Sequence, residues 1–473
     1  MIKEKYNLGI IGAGNISDLH CSAIKKTKLG SLYSVFDIDR KSSEKLKSNF
    51  SELVIFDSLE EMIDDDKIDV FVVLIPPKKH FEVIMKLSEK TDKPIFCEKP
   101  LVLNEYHLKK VIDLADQGKR IFVGQSYRFF NHIIKAKEYF LKNIDDLRYF
   151  EIRFRKHIHK VRPLESWRSR YEDYVIVDNG IHIIDLLSYL TGKKVEKIYC
   201  QADNTSGVID GFDTSFINLE LSGGIKGVII LEHNNIISNT LYEGKHYYRF
   251  NNKTLTLDET GLIEYIDNTK EAIEKNILIE APITENWLDS FTRMWNSFFE
   301  SMRSGKEMEV DPKSVKNSIE GVLMAIKSAR EGRISTAGQS YSKNGIYGEL
   351  IESGKIGSLD KIIDLKEFRI KEIPETDRIR IYLKFILEVA NPHNLKVSTL
   401  IREFYLLEKA LGREYSKKFL TKELSGKRYS SMSSYDHYKV IVFNGLKALG
   451  ITQKEDTILN KDQLKKLSEI IWH

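Results

Sequence analysis

Cysteine is scarce in this 473-residue chain: Cys21, Cys97 and Cys200 stand far apart and form no metal-ligand pairing. Thiols so few and so spaced fit a reduced, cytoplasmic setting. Charge of one sign is lacking too, the formal net charge being +4. That balance gives no global reason to expect nucleic acid or an anionic membrane surface as a partner. Long apolar runs are also missing, and stretches such as Val70 to Pro77 are far too short to span a bilayer. From Met1 the chain enters a strand pattern by Leu8, which leaves no room for a signal peptide. No internal repeat or low-complexity tract stands out. What is present, 42% hydrophobic and 30% charged residues, reads as an ordinary soluble protein long enough for two or three domains.

From residue 7 to about 125 short apolar runs alternate with stretches of helical spacing. Asn7–Ile11, Leu32–Phe36, Val54–Phe56, Val70–Ile75, Ile95–Cys97 and Ile121–Val123 read as buried strands. Ser17–Lys26, Ser42–Phe50, Leu59–Ile63, His80–Glu89 and Glu105–Gln117 read as the helices between them. Such alternation predicts an α/β domain over 1–125, a mostly parallel, doubly wound sheet covered on both faces. Beyond residue 147 the strands lengthen and several alternate with period 2: Tyr149–Phe154, Val195–Ala202, Phe212–Ser222, Lys226–Asn234, His246–Phe250 and Thr254–Leu257. With helices at Gly180–Leu190, Trp287–Arg303 and Pro312–Ala329, they predict an α+β domain over 126–334 built on an antiparallel sheet. Residues 335–365, rich in Gly, Ser and Lys, read as a connector. Apolar-periodic stretches at Asp377–Ala390, Ser398–Leu411, Tyr435–Leu449 and Asp462–Trp472 then predict a small all-α C-terminal appendix over 366–473.

Three groups of residues carry chemistry. Gly12-Ala13-Gly14-Asn15-Ile16-Ser17 lies between the first strand and its helix. Gly12 permits a tight turn, and Gly14 lets the backbone approach a pyrophosphate, which the free N–H groups of the helix start then meet. Ser17 replaces the third glycine of the strict motif. Asp37, about 20 residues on, fits a carboxylate that accepts from ribose hydroxyls and repels a 2′-phosphate, or else one that caps a loop. Arg40 nearby could admit that phosphate, so the reading leans to NAD and leaves NADP open. Glu98-Lys99-Pro100 follows the fifth strand at the carboxyl edge of the sheet, where ligands of open α/β folds bind. A lysine there can donate to a substrate hydroxyl and stabilise developing oxyanion character; without that position it is a surface charge. In Asp178-Asn179-Gly180-Ile181-His182, a helix starting near Gly180 places Asp178 near its N-cap and His182 one turn on. Histidine is a natural acceptor for the proton that leaves an oxidised alcohol, with a carboxylate to orient it; a capping Asp and a buried His is the competing reading.

In this order the elements resemble the Gfo/Idh/MocA oxidoreductase family, over roughly residues 5 to 334. The resemblance rests on the GAGNIS turn, Asp37, Ile75-Pro76-Pro77 with His80, Glu98-Lys99-Pro100, Val123 to Phe129, Trp167-Arg168, and Asp178 to His182 followed by Asp185. It implies a Rossmann domain joined to an open-faced antiparallel sheet domain, and homo-oligomers through that face. It also implies that Lys99 and His182 act on substrate with Asp178 assisting, that Pro76 and Glu98 line the cofactor cleft, and that Tyr127 and Arg128 fall near nicotinamide and substrate. Trp167 and Arg168 join the substrate-binding set. The family's glycine-rich stretch before the last motif is replaced by Tyr171 to Val177, which should reshape the substrate pocket.

The expected function is hydride transfer between NAD(P) and a hydroxyl or carbonyl carbon of a sugar, cyclitol or nucleotide-linked sugar. Competing readings are transient oxidation for glycoside cleavage, reduction of imines or tetrapyrroles, and a cofactor-binding sensor with the appendix as interaction module. His157-Ile158-His159 places two imidazoles on one strand face; without a third ligand a sugar contact or a plain surface pair is favoured over a metal. From Lys366 onward there is an excess of about seven positive charges, read as a solvated helix face or a protein-docking surface rather than a nucleic-acid site.

Overall fold

The computed structural model describes residues 3–156, 171–233, 242–258, 261–268, 273–280 and 286–337, with short stretches between 394 and 467. The chain divides into two compact units, residues 1–339 and 340–473. No helix among the described residues is long and apolar enough to cross a membrane.

The first unit opens with six strands: β1 (Tyr6–Ile11), β2 (Gly30–Phe36), β3 (Val54–Ile55), β4 (Val70–Val73), β5 (Ile95–Glu98) and β6 (Ile121–Gly124). All pair in parallel, in the order β3-β2-β1-β4-β5-β6. Every residue of β4, β5 and β6 is buried, as strands covered on both faces require. The connecting helices are α1 (Ser17–Thr27), α2 (Arg40–Asn49), α3 (Leu59–Ile63), α4 (His80–Lys90) and α5 (Glu105–Asp116). Asp39, Ser58 and Asn104 cap α2, α3 and α5 with side-chain oxygens, which fixes those starts. Strand order reverses between β1 and β4, the switch point beyond whose carboxyl ends open α/β sheets bind ligands.

A nine-stranded sheet follows, carried by β7 (Tyr149–Lys156), β8 (Val195–Asp203), β9 (Thr214–Leu221), β10 (Ile225–Glu232), β11 (Tyr242–Arg249), β12 (Lys253–Asp258), β13 (Gly261–Asp267), β14 (Ile273–Glu280) and β15 (Ser335–Thr336). It is antiparallel except where β10 pairs with β7 in parallel, so the expected antiparallel sheet is mixed. Alternation divides its faces. Phe150, Ile152, Phe154, Ile217, Leu219, Ile229 and Leu231 are buried, whereas Tyr149, Phe216 and Tyr247 on the other face stay 38%, 47% and 38% exposed. Helices α6 (Asn131–Asn143), α7 (Ile181–Thr191), α8 (Trp287–Ser304) and α9 (Lys316–Glu331) complete the unit.

Two expectations change here. Ser335 and Thr336, read as the start of a connector, are a short edge strand paired to β8. In the second unit Asn394–Lys396 and Ile458–Asn460 form an antiparallel pair, so its described part is not all helical. Three-residue strands are too short to show period-2 alternation, which is why the helical pattern dominated the sequence there. Most of the four helices expected in that unit lie outside the described residues.

Candidate active site

The glycine turn forms as its residues demand. Gly12 has φ +100°, and a Cβ there would sit 2.7 Å from the Leu74 carbonyl oxygen, so the loops after β1 and β4 meet only over a glycine. At Gly14 the space beside the backbone is open, with nothing within 4 Å of a built Cβ. Ser17 turns its hydroxyl onto the Gly14 carbonyl and closes the first turn of α1. No side chain caps α1, whose cap residue is Ile16. The Ser17 N–H is donated to the Gly14 carbonyl at 2.9 Å, and no side chain caps the N–H groups that follow it in this eleven-residue helix, which suits an anion such as a dinucleotide pyrophosphate.

Asp37 reaches back to this turn. Its Oδ2 accepts from the Ala13 N–H at 2.7 Å and its Oδ1 from the Asp39 N–H at 2.8 Å. It is a brace of the turn, and a carboxylate keeps lone pairs for the ribose hydroxyls expected from the sequence as well. Arg40 is exposed and engaged by Asp57 and Glu44. Pro76 starts the bend after β4, and His80 behind it places its two ring nitrogens 2.8 Å from the carbonyl oxygens of Pro100 and Ile75. Burial pushes the His80 pKa down and outweighs those two acceptors. This histidine ties the bend to the turn that carries Lys99.

Lys99 follows β5 directly. Its Nζ donates to the Asp178 carbonyl oxygen at 2.9 Å and lies 3.5 Å from Asp178 Oδ1. Asp178 belongs to a π-helical turn, Ile176–Gly180, that runs into α7; it stands two residues before the Gly180 cap, near the helix start as expected from the sequence, without capping the helix itself. A π turn at a functional site is a common use of that rare geometry. Tyr174 Oη, one turn earlier, donates to Asp178 Oδ2 at 3.3 Å, and Lys156 Nζ at the end of β7 lies 3.5 Å from the same oxygen. His182 is buried one turn beyond Asp178, and its ring stacks on Tyr127 with centroids 4.1 Å apart. Trp287 meets the Tyr127 ring edge-on at 5.2 Å.

Three segments distant in sequence thus converge on Asp178: the turn after β5, the end of β7 and the π turn before α7. Lys156 and Tyr174 were not singled out from the sequence. Signals for both existed. Lys156 continues the inward-facing series Phe150, Ile152, Phe154 at period 2, and Tyr174 lies four residues before Asp178. Arg128, in contrast, is only 6% exposed, and its guanidinium forks onto Asp185 at 2.8 and 2.7 Å. Ser318 donates to the same carboxylate at 2.6 Å. Burial is the largest influence on the Arg128 pKa and lowers it, but the charge and hydrogen bonding of Asp185, with smaller help from Tyr189 and Glu309, together raise it. A guanidinium held in this way orders its own structure, a role the sequence did not point to. His157, Trp167 and Arg168 lie outside the described residues. Cys97 is fully buried and its thiol pKa is pushed up by that burial, as a packing residue's should be. Among the described residues no group of three or more His, Cys, Asp or Glu could hold a metal ion.

Comparison with known proteins agrees with this geometry. Residues 6–125 match the model of the oxidoreductase family with an NAD-binding Rossmann fold, and residues 142–239 match the Gfo/Idh/MocA C-terminal domain. A myo-inositol 2-dehydrogenase of Thermotoga maritima is 23% identical over 339 residues, 69% of this chain and 97% of that protein. A glucose-6-phosphate 3-dehydrogenase of Bacillus subtilis is 28% identical over 189 residues, 39% of this chain and 53% of that protein. Among solved structures, a levoglucosan dehydrogenase in complex with NADH and levoglucosan superposes with a TM-score of 0.63 at 17% identity. That match covers 71% of this chain and all of the other. An Agrobacterium radiobacter oxidoreductase in complex with NAD+, L-tartaric acid and magnesium gives 0.64 at 16%, covering 70% and 98%. Over residues 6–125 and 142–239 the chain thus carries the two domains of the Gfo/Idh/MocA oxidoreductases, the first of them their NAD-binding Rossmann domain.

Proposed function

We propose that the chain is an NAD-dependent dehydrogenase that oxidises a secondary hydroxyl of a sugar, cyclitol or nucleotide-linked sugar, or catalyses the reverse reduction. The observation that carries this reading is the convergence of Lys99 and Asp178, with His182 one turn along the same helix, beyond the carboxyl edge of a sheet whose first turn suits a dinucleotide. When bound, the nicotinamide supplies the hydride acceptor. The Lys99 ammonium donates to the reacting oxygen and stabilises the negative charge that grows there as the C–H bond breaks. His182 takes the hydroxyl proton. Asp178, held between Lys99, Lys156 and Tyr174, fixes the lysine's direction and offsets the charge of two neighbouring ammonium groups.

The substrate class draws on two further observations. Gln125 Oε1 at the end of β6 and Asn179 Oδ1 beside Asp178 are buried acceptors without a hydrogen bond among the described residues, and a ligand rich in hydroxyls suits such acceptors. The inositol, glucose 6-phosphate and levoglucosan dehydrogenases among the relatives act on polyhydroxylated rings, as their names state. Asp37 favours NAD over NADP, with Arg40 drawn away by Asp57 and Glu44. The exposed Tyr149, Phe216 and Tyr247 on the open sheet face support self-association through that face. The test is a panel of cyclitols, sugars and nucleotide sugars incubated with NAD and followed by NADH formation. Hydrolysis of a glycoside without net NADH would replace this reading with the transient-oxidation one.

A further inference from the structure

His20, fully buried on α1, joins two groups that the mechanism above leaves unused. The Trp295 indole Nε1, on α8, lies 3.1 Å from His20 Nδ1, and His20 Nε2 lies 2.9 Å from Glu98 Oε1. An indole nitrogen can only donate, so His20 Nδ1 must accept, and the ring's proton is therefore on Nε2 and is donated to Glu98. The other oxygen of Glu98, Oε2, accepts from the Lys99 backbone N–H at 3.1 Å. Both oxygens accept, the bonding pattern of a carboxylate, although the residue is only 8% exposed. Gly124 on β6 leaves it just enough room, since a Cβ there would come within 2.7 Å of Oε1. The rings of Phe96, Phe291 and Trp295 pack edge-on around the imidazole and leave it no alternative pose.

We infer that Trp295 and His20 form a positioning relay: a helix more than 190 residues beyond Glu98 fixes a histidine tautomer, and through it the carboxylate that faces the cofactor next to Lys99. Glu98 ends β5 at the carboxyl edge of the sheet, the side on which the proposed function places the dinucleotide, and the relay rests on that reading. Its defining feature is direction, donor to acceptor from indole to imidazole to carboxylate. A glutamine in place of His20 keeps an acceptor and a donor in the same 1,3 relation, whereas phenylalanine keeps only the shape.

The test combines NAD titration calorimetry with 15N NMR of the full-length protein. The relay predicts a His20 ring protonated on Nε2 and not on Nδ1. It predicts that Trp295→Phe and His20→Phe each weaken NAD binding about tenfold, the scale of one lost hydrogen bond to a charged group, while His20→Gln stays within about threefold of wild type. Adding Trp295→Phe to Glu98→Gln should cost nothing further, because both changes break one path. A merely packing role for Trp295 predicts full additivity, and that result, a proton on Nδ1, or unchanged affinity in Trp295→Phe overturns the relay. A wild-type chain that does not bind NAD overturns the cofactor assignment instead, and the tautomer measurement still reports on the relay.

Discussion

At the scale of single residues the site separates groups that act on a ligand from groups that hold those in place. Arg128 and Asp185 show the second kind most clearly. Both are buried, their forked contact joins the turn after β6 to α7, and Ser318 adds a third bond to the carboxylate. Removing one charge of such a pair leaves the other buried and uncompensated, which costs about 3–5 kcal/mol. Arg128→Met should therefore lower stability by that amount in urea unfolding, and the double change Arg128→Met/Asp185→Leu should recover most of it. Equal losses in the single and double variants would mean that the uncompensated Asp185 carboxylate is not the source of the cost.

At the scale of elements, the π turn before α7 does what a regular helix would not. It brings Asp178 between Lys99 and Lys156 while His182 stays buried against Tyr127. Deleting Asn179 would rotate Asp178 by about 100° relative to His182, the angle one residue subtends in an α-helix. The expected outcome is retained NAD affinity with turnover lost; an active deletion variant would remove the π turn from the mechanism. This element also marks the limit of what the sequence could tell. The parallel strands and the glycine turn were legible because hydrophobic period and loop chemistry are local, whereas Lys99, Asp178 and His182 were grouped by the family resemblance. The π turn, the parallel pairing of β10 with β7 and the edge strand Ser335–Thr336 depend on what packs against them. The Arg128–Asp185 fork was hidden for the same reason: only the fold brings Asp185 to Arg128.

At the scale of the whole molecule, the two matched domains lie inside the first compact unit, which ends at Gln339. A chain cut after Gln339 is predicted to fold and to bind NAD as tightly as the full-length protein. A cut a few residues earlier removes β15 from the sheet edge and exposes β8, and should cost solubility. If the shorter chain instead lost NAD binding, residues 340–473 would belong to the cofactor site.

Turnover in the Lys99 and His182 variants tests the central claim most directly. With the hydroxyl substrate found by NADH formation, Lys99→Met and His182→Ala should each lower kcat by about 100-fold or more, the scale of general acid–base and oxyanion stabilisation, while NAD still binds. Near-normal turnover in either variant would contradict the account.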